Sequence, residues 1–239
     1  VLLRPDTYIG DIDPTDEMMW IYDLQSKMIV KKQIEYVPGF YKVFDELIVN
    51  ARDHTQNDKT CNQIKVDIDQ VANSITVMNN GNKGIPIAIH KEHNVYIPSL
   101  IFGEMLTGSN FDDKEKRTTG GRNGYGAKLA NIYSKKFIVE VVDSKKKLKF
   151  EQVFEENMSI KNEPVITELD KKEKSYVKIT FFPDLKRFKV KNISNDVVAL
   201  FHKRVYDIAA TTNNRIKVYF NEEELTISCF SKYVDMFYS

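Results

Sequence analysis

Residues 41–54 read YKVFDELIVNARDH, and the rest of the chain is read outward from how this stretch folds. At about 100° per residue, a helix places Glu46, Asn50 and Asp53 on one narrow stripe, with Phe44, Leu47, Ile48 and Ala51 on the opposite side. A stripe facing water would have Lys and Glu beside it; this one is bordered by Val43 and Val49. The helix is therefore expected to be buried nearly all round, with a carboxylate and an amide facing something other than bulk water. Desolvating an unpartnered carboxylate is costly. The stripe alone fits either a hydrogen-bonded core helix or a ligand site.

Outward from this helix, alternation and turn residues predict the remaining elements. Pro5 and Asp6 mark a turn or helix start, and residues 18–23 and 27–36 read as strands before the Pro38-Gly39 turn. Residues 64–68 and 74–78 form an expected hairpin around Ala72-Asn73. That hairpin runs straight into the cluster Asn79-Asn80-Gly81-Asn82-Lys83-Gly84. Residues 95–106 contain an apolar helix, and 109–119 a polar loop. GGRNGYG at 120–126 is followed by a helical pattern over 127–133. Strands follow at 137–142, 147–154 and 176–182, an amphipathic helix at 197–210, and a last hairpin at 215–220 and 224–229. The expected fold class is α+β: a two-layer sandwich of a mixed, largely antiparallel sheet with helices on one face.

Composition narrows the function. The chain has 239 residues, enough for one large domain over 1–239. Thirty-five Lys and Arg against 34 Asp and Glu leave a net charge of +1, which argues against a strongly basic nucleic-acid surface. Cys61 and Cys229 lie far apart, without metal-ligand spacing, and fit a reducing intracellular compartment. The first residue, Val1, and the apolar pattern running to Ser239 suggest a piece of a longer protein.

Three clusters can carry chemistry. On the helix stripe, Glu46 is a candidate general base for water, and the Asn50 amide oxygen a hard ligand that could share a Mg²⁺ with phosphates. The loop from Asn79 to Gly84 is either a strand-exit turn or an amide placed to read a base edge, as Asn reads adenine. The third cluster is Gly121, Arg122, Asn123, Gly124, Tyr125, Gly126, Ala127 and Lys128. Its glycines let N–H groups converge on an anion ahead of a helix, and Arg122 and Lys128 add charge. The order matches neither G-x-G-x-x-G nor G-x-x-x-x-G-K-[ST], since Ala127 precedes Lys128. These glycine clusters favour the ligand reading of the helix stripe.

Together the clusters resemble the GHKL ATPase superfamily, and within it the ATPase region of eukaryotic-type type IIA DNA topoisomerases. The resemblance runs through LLRPDTYIG at 2–10, PGFYKVFDELIVNARD at 38–53, NNGNKGIP at 79–86 and IFGEMLTGSNFDD at 101–113. It continues through TGGRNGYGAKLANIYS at 119–134, ITFFPDLKRF at 179–188 and YVDMFY at 233–238. What it implies is a Bergerat-type ATP site. Glu46 is then the general base, Asn50 the Mg²⁺ ligand and Asp53 a supporting acid. Asn79 reads the adenine amino group. Gly108, Ser109 and Asn110 contact ribose and phosphate, Gly121 to Lys128 wrap the triphosphate, and Thr180 sets a hydroxyl beside the adenine pocket. Asn82 lengthens the short Asn-x-Gly-x-Gly box by one residue, and His54 is read as a helix-end partner rather than a catalyst.

The resemblance also implies an arm before Val1 and a transducer domain beyond Ser239, so that this piece alone is expected to bind ATP and turn over slowly. For the full-length enzyme it implies DNA as the substrate, a homodimer, and a nuclear location, or the infected cell for a viral homologue; the piece itself could be monomeric. The alternatives are a nucleotide-operated dimerisation clamp or another member of the superfamily. A carboxylate at position 46 favours hydrolysis over a clamp alone.

Overall fold

The computed structural model describes residues 1–104, 126–171, 173–227 and 229–238. A single 3-10 turn at Pro5–Thr7 leads into the antiparallel hairpin β1 (Thr15–Asp23) and β2 (Met28–Tyr36). Helix α1 (Pro38–Asn57) follows, then β3 (Gln63–Asp69), β4 (Ser74–Asn80) and the short helices α2 (Ile97–Gly103) and α3 (Gly126–Ile132). Next come β5 (Ser134–Asp143), β6 (Leu148–Glu155), β7 (Ile160–Lys161), β8 (Val165–Glu168) and β9 (Tyr176–Pro183). Helix α4 (Asn195–Thr211), β10 (Lys217–Phe220), β11 (Glu223–Glu224) and α5 (Phe230–Asp235) complete the order.

Among the described residues, nine strands form one sheet in the order β11-β10-β3-β4-β9-β5-β6-β7, with β8 also on β6. Only the β10–β3 pair is parallel. Residues facing one another across a ladder point to the same side of the sheet. Val66, Val77, Ile179 and Val139 therefore make one row, and Ile68, Ile75, Phe181, Phe137 and Phe154 another. Every member of both rows is buried. A third row runs Ile64, Asn79, Val177, Val141 and Phe150, so Asn79 interrupts an otherwise apolar line on the core side.

Pro38 starts α1 where its missing N–H has no helical partner to lose, and Val37 before it is extended. The helix packs against α4 through the stacked rings of Phe44 and Phe201, 4.2 Å apart, and through Phe40 against Phe188 and Phe201. Arg204 Nε on α4 lies 2.7 Å from Asp45 Oδ1 and fixes the two helices in register. Burying each of these large side chains contributes about 1.5–3 kcal/mol.

The expected fold class holds, and most elements fall within a few residues of the sequence reading. Three features differ. The β1–β2 hairpin stands apart from the main sheet and packs on α4, with Tyr22 against His202 and Tyr206 at 4.3 and 4.6 Å. The last hairpin is shorter than expected, with only two residues in its return strand. Helix α5 forms where only an apolar pattern was visible, and its segment is held by Ile29 N–H donating to Met236 O and by Trp20 against Phe237.

Candidate active site

Glu46 sits midway along α1 with its side chain 23% exposed, and Lys42 one turn earlier approaches its Oε1 at 2.6 Å. The opposite side of the carboxylate meets the first residue of α3. A Cβ added to Gly126 would lie 2.1 Å from Glu46 Oε2, so glycine lets α3 approach the carboxylate this closely without displacing it. Asn131 further along α3 donates to Phe102 O at 3.0 Å and ties α3 to α2.

The expectation that α1 is buried nearly all round needs correction. Val43, Phe44, Leu47, Ile48 and Ala51 are buried, Val49 is half-buried, and Asn50 is exposed. The sheet and α4 cover the apolar side of the helix; on the stripe, Lys42 and Glu46 are half-buried, with α3 against Glu46, and Asn50 is exposed. Asp53 closes that stripe: it is buried, with Arg52 Nη1 3.6 Å from its Oδ1. The geometry brings a half-buried acid and an exposed amide together on one helix face, one turn apart.

Asn79 is buried at the end of β4, on the same side of the sheet as the core rows. Its neighbour Asn80 points the other way and serves the fold. Asn80 Oδ1 accepts from the N–H groups of Asn62 and Gln63 at 2.9 and 3.0 Å, and its Nδ2 donates to Asn62 Oδ1 at 2.7 Å. Thr180 is the second correction. It pairs with Thr76 across β4 and β9, their hydroxyls 2.9 Å apart. Both belong to the alternate set of residues, on the face away from Asn79. The residue of β9 that shares the Asn79 side is its ladder partner Val177, half-buried against the core.

Of the glycine-rich segment, Gly126, Ala127 and Lys128 lie in α3. Lys128 is buried, and burial pushes its ammonium pKa down, opposed by Glu104. A cation drawn out of water interacts more strongly with an anion than one in bulk solvent. Gly108, Ser109, Asn110, Gly121, Arg122, Asn123, Gly124 and Tyr125, and the loop expected over 109–119, lie outside the described residues. Lys42 went unnoticed in the sequence, although its four-residue spacing from Glu46 was a visible signal.

Residues 36–186 match the family described as histidine kinase-, DNA gyrase B-, and HSP90-like ATPase. The chain is 52% identical over 242 residues to DNA topoisomerase 2 of Acanthamoeba polyphaga mimivirus, covering all of this chain and 19% of that protein. Among solved structures, it is similar to the ATPase region of Saccharomyces cerevisiae topoisomerase II, with a TM-score of 0.95 and 47% identity over 99% of this chain and 62% of the other. It is also similar to the ATPase and transducer domains of DNA topoisomerase II from Balamuthia mandrillaris, with a TM-score of 0.94 and 47% identity over 100% of this chain and 61% of the other. This chain thus spans about a fifth of the curated relative named here. With the family match extending over more than half of its length, the chain belongs to the histidine kinase-, DNA gyrase B- and HSP90-like ATPase family.

Proposed function

We propose that this chain binds ATP and hydrolyses it, as the nucleotide-driven module of a type II DNA topoisomerase. The observation that carries the reading is the polar stripe on α1. Glu46 lies beside the glycine that begins α3 and Asn50, one turn on, is exposed, while the apolar side of the helix is packed. In this reading Glu46 accepts a proton from, or orients, the water that attacks the terminal phosphate. Lys42 holds the carboxylate on its other side. Asn79 supplies the amide for the base, and Lys128 a desolvated positive charge toward the phosphates. Most of the work in such a transfer is positioning and electrostatic stabilisation.

Mg²⁺ fits the donor set. Among the described residues no group of three or more His, Cys, Asp or Glu could hold a metal ion. The exposed Asn50 amide can offer one hard oxygen beside the phosphates, and an ion that keeps several waters needs little more from the protein. When bound, it would neutralise charge on the phosphate oxygens. Asn50 would hold it, and Glu46 would remain free for the water.

The relatives are named DNA topoisomerase 2. By extension, we place this module in a homodimeric enzyme that acts on DNA in the nucleus, or in the infected cell if the source is a virus. A clamp operated by binding alone would have no use for a carboxylate at position 46. Glu46→Gln is expected to keep affinity for ATP and lose hydrolysis by about 10²-fold or more, the scale of a positioned general base. Turnover at the wild-type rate in that variant would eliminate Glu46 as the base.

A further inference from the structure

We propose that Asp58 is a positioning residue for the base end of the nucleotide site: it locks the chain that leaves Asn79 and thereby sets affinity for the purine and the choice between purines. The inference rests on the nucleotide reading above. Asp58 is the last residue α1 holds, its own N–H donating to His54 O at 2.9 Å, and it is fully buried. Both carboxylate oxygens are used. Oδ1 accepts from Thr60 N–H at 2.9 Å and from Thr60 Oγ1 at 2.6 Å, and Oδ2 accepts from Lys83 N–H at 2.7 Å. Thr60 extends the lock, since its hydroxyl oxygen accepts from Asn82 N–H at 2.7 Å.

Three successive N–H groups of the loop are therefore tied down. Gly81 donates to Ser175 O, Asn82 to Thr60 and Lys83 to Asp58. Gly81 also passes so close over the helix end that a Cβ there would lie 2.4 Å from Asp58 Oδ2 and 2.8 Å from His54 Nε2, at a φ of +139°. A loop rich in Asn and Gly would otherwise be costly to order. Burial alone would raise the Asp58 pKa, but the hydroxyl and N–H of Thr60, the Lys83 N–H and nearby His54 outweigh it, and the carboxyl stays below its ordinary range. The four contacts thus favour the carboxylate form of the acceptor.

The consequence is mechanical. One rigid helix carries Glu46 and Asn50 in its middle and the anchor of the base loop at its end, about 12 Å beyond Asn50 at 1.5 Å per residue. That is comparable with the reach of a nucleotide from phosphates to base. The lock keeps the two ends of the site in register.

The test is calorimetric titration of this chain, with Mg²⁺, against non-hydrolysable ATP and GTP analogues, alongside thermal melting. Losing both hydrogen bonds of the Thr60 hydroxyl in Thr60→Val, on an exposed residue, should weaken the ATP analogue about threefold, and Asp58→Asn, which removes the charge and turns a donor toward one of the lock's N–H groups, about tenfold. The GTP analogue should change less, so the ratio between the two narrows. Lower melting temperature or fewer competent sites, with affinity and ratio unchanged, would show a merely structural role and overturn the proposal. Should Asp58→Asn fail to fold, Thr60→Val alone decides, and wild-type affinity there overturns the lock. Asn79→Ala separates the two assignments. If it weakens ATP while Thr60→Val and Asp58→Asn do not, the lock alone is wrong; if Asn79→Ala binds normally, the base-reading assignment falls with it.

Discussion

Replacing Gly126 by alanine asks how closely α3 must approach the acid for hydrolysis. The added methyl falls 2.1 Å from Glu46 Oε2 and 3.0 Å from its Cδ, where ordinary contact begins at 3.4 Å, so the carboxylate must retreat by about 1.3 Å. It can do so, because its side chain is 23% exposed, at the loss of the Lys42 contact. A half-exposed pair of this kind contributes about 0.3–0.5 kcal/mol. Alanine is favoured over glycine inside a helix by up to about 1 kcal/mol. The two effects oppose each other, and stability should move by less than about 1 kcal/mol, a few degrees in melting temperature. Catalysis is far less tolerant, since a misplacement of about 1 Å can cost about 10²-fold. The expected result is near-normal melting and about 10²-fold slower single-turnover hydrolysis of ATP, measured with nucleotide saturating. Hydrolysis within about threefold of wild type would refute the argument that the Glu46–Gly126 contact sets the position of the base.

Two other perturbations have definite outcomes. Asn50→Ala should abolish most of the gain in ATP affinity that Mg²⁺ confers while leaving Mg²⁺-free binding nearly unchanged; an undiminished Mg²⁺ effect in calorimetry would remove Asn50 as the ligand. Acid should destabilise the fold through His202, buried and stacked on Phe220 at 4.0 Å, whose pKa burial lowers from 6.5 to about 4. Between those values the unfolded chain takes up a proton that the folded chain refuses. Stability is therefore full above pH 6.5, falls as pH drops, and levels off below about 4, for a total of about 3 kcal/mol. Denaturant melts from pH 7 to 4 should show this loss in the wild type and a smaller one in His202→Phe; equal slopes would exclude His202 as the source.

What was readable in the sequence is local. Glu46, Asn50 and Asp53 share a stripe through the helical angle alone, and the strands around residues 64–68, 137–142 and 176–182 announce themselves by two-residue alternation. Glycine at 126 could be picked out by residue type before its close contact with Glu46 was visible. The failures all concern what covers what. Val43 and Val49 suggested a helix enclosed on every side, yet Asn50 is exposed, because enclosure depends on which elements pack there.

Local spacing therefore placed Glu46 and Asn50 on one helix stripe and pointed to the class of fold, since each is set by bonds and angles within a few residues. Three decisions belonged to the tertiary structure. Register across β4 and β9 put Val177, not Thr180, on the side of Asn79. Packing on α4 drew the β1–β2 hairpin away from the main sheet. Asp58 met Lys83, 25 positions along, only because β3 and β4 bring the chain back to the end of α1. Contacts between residues distant in sequence depend on where whole elements settle, and no periodicity within a short window encodes that.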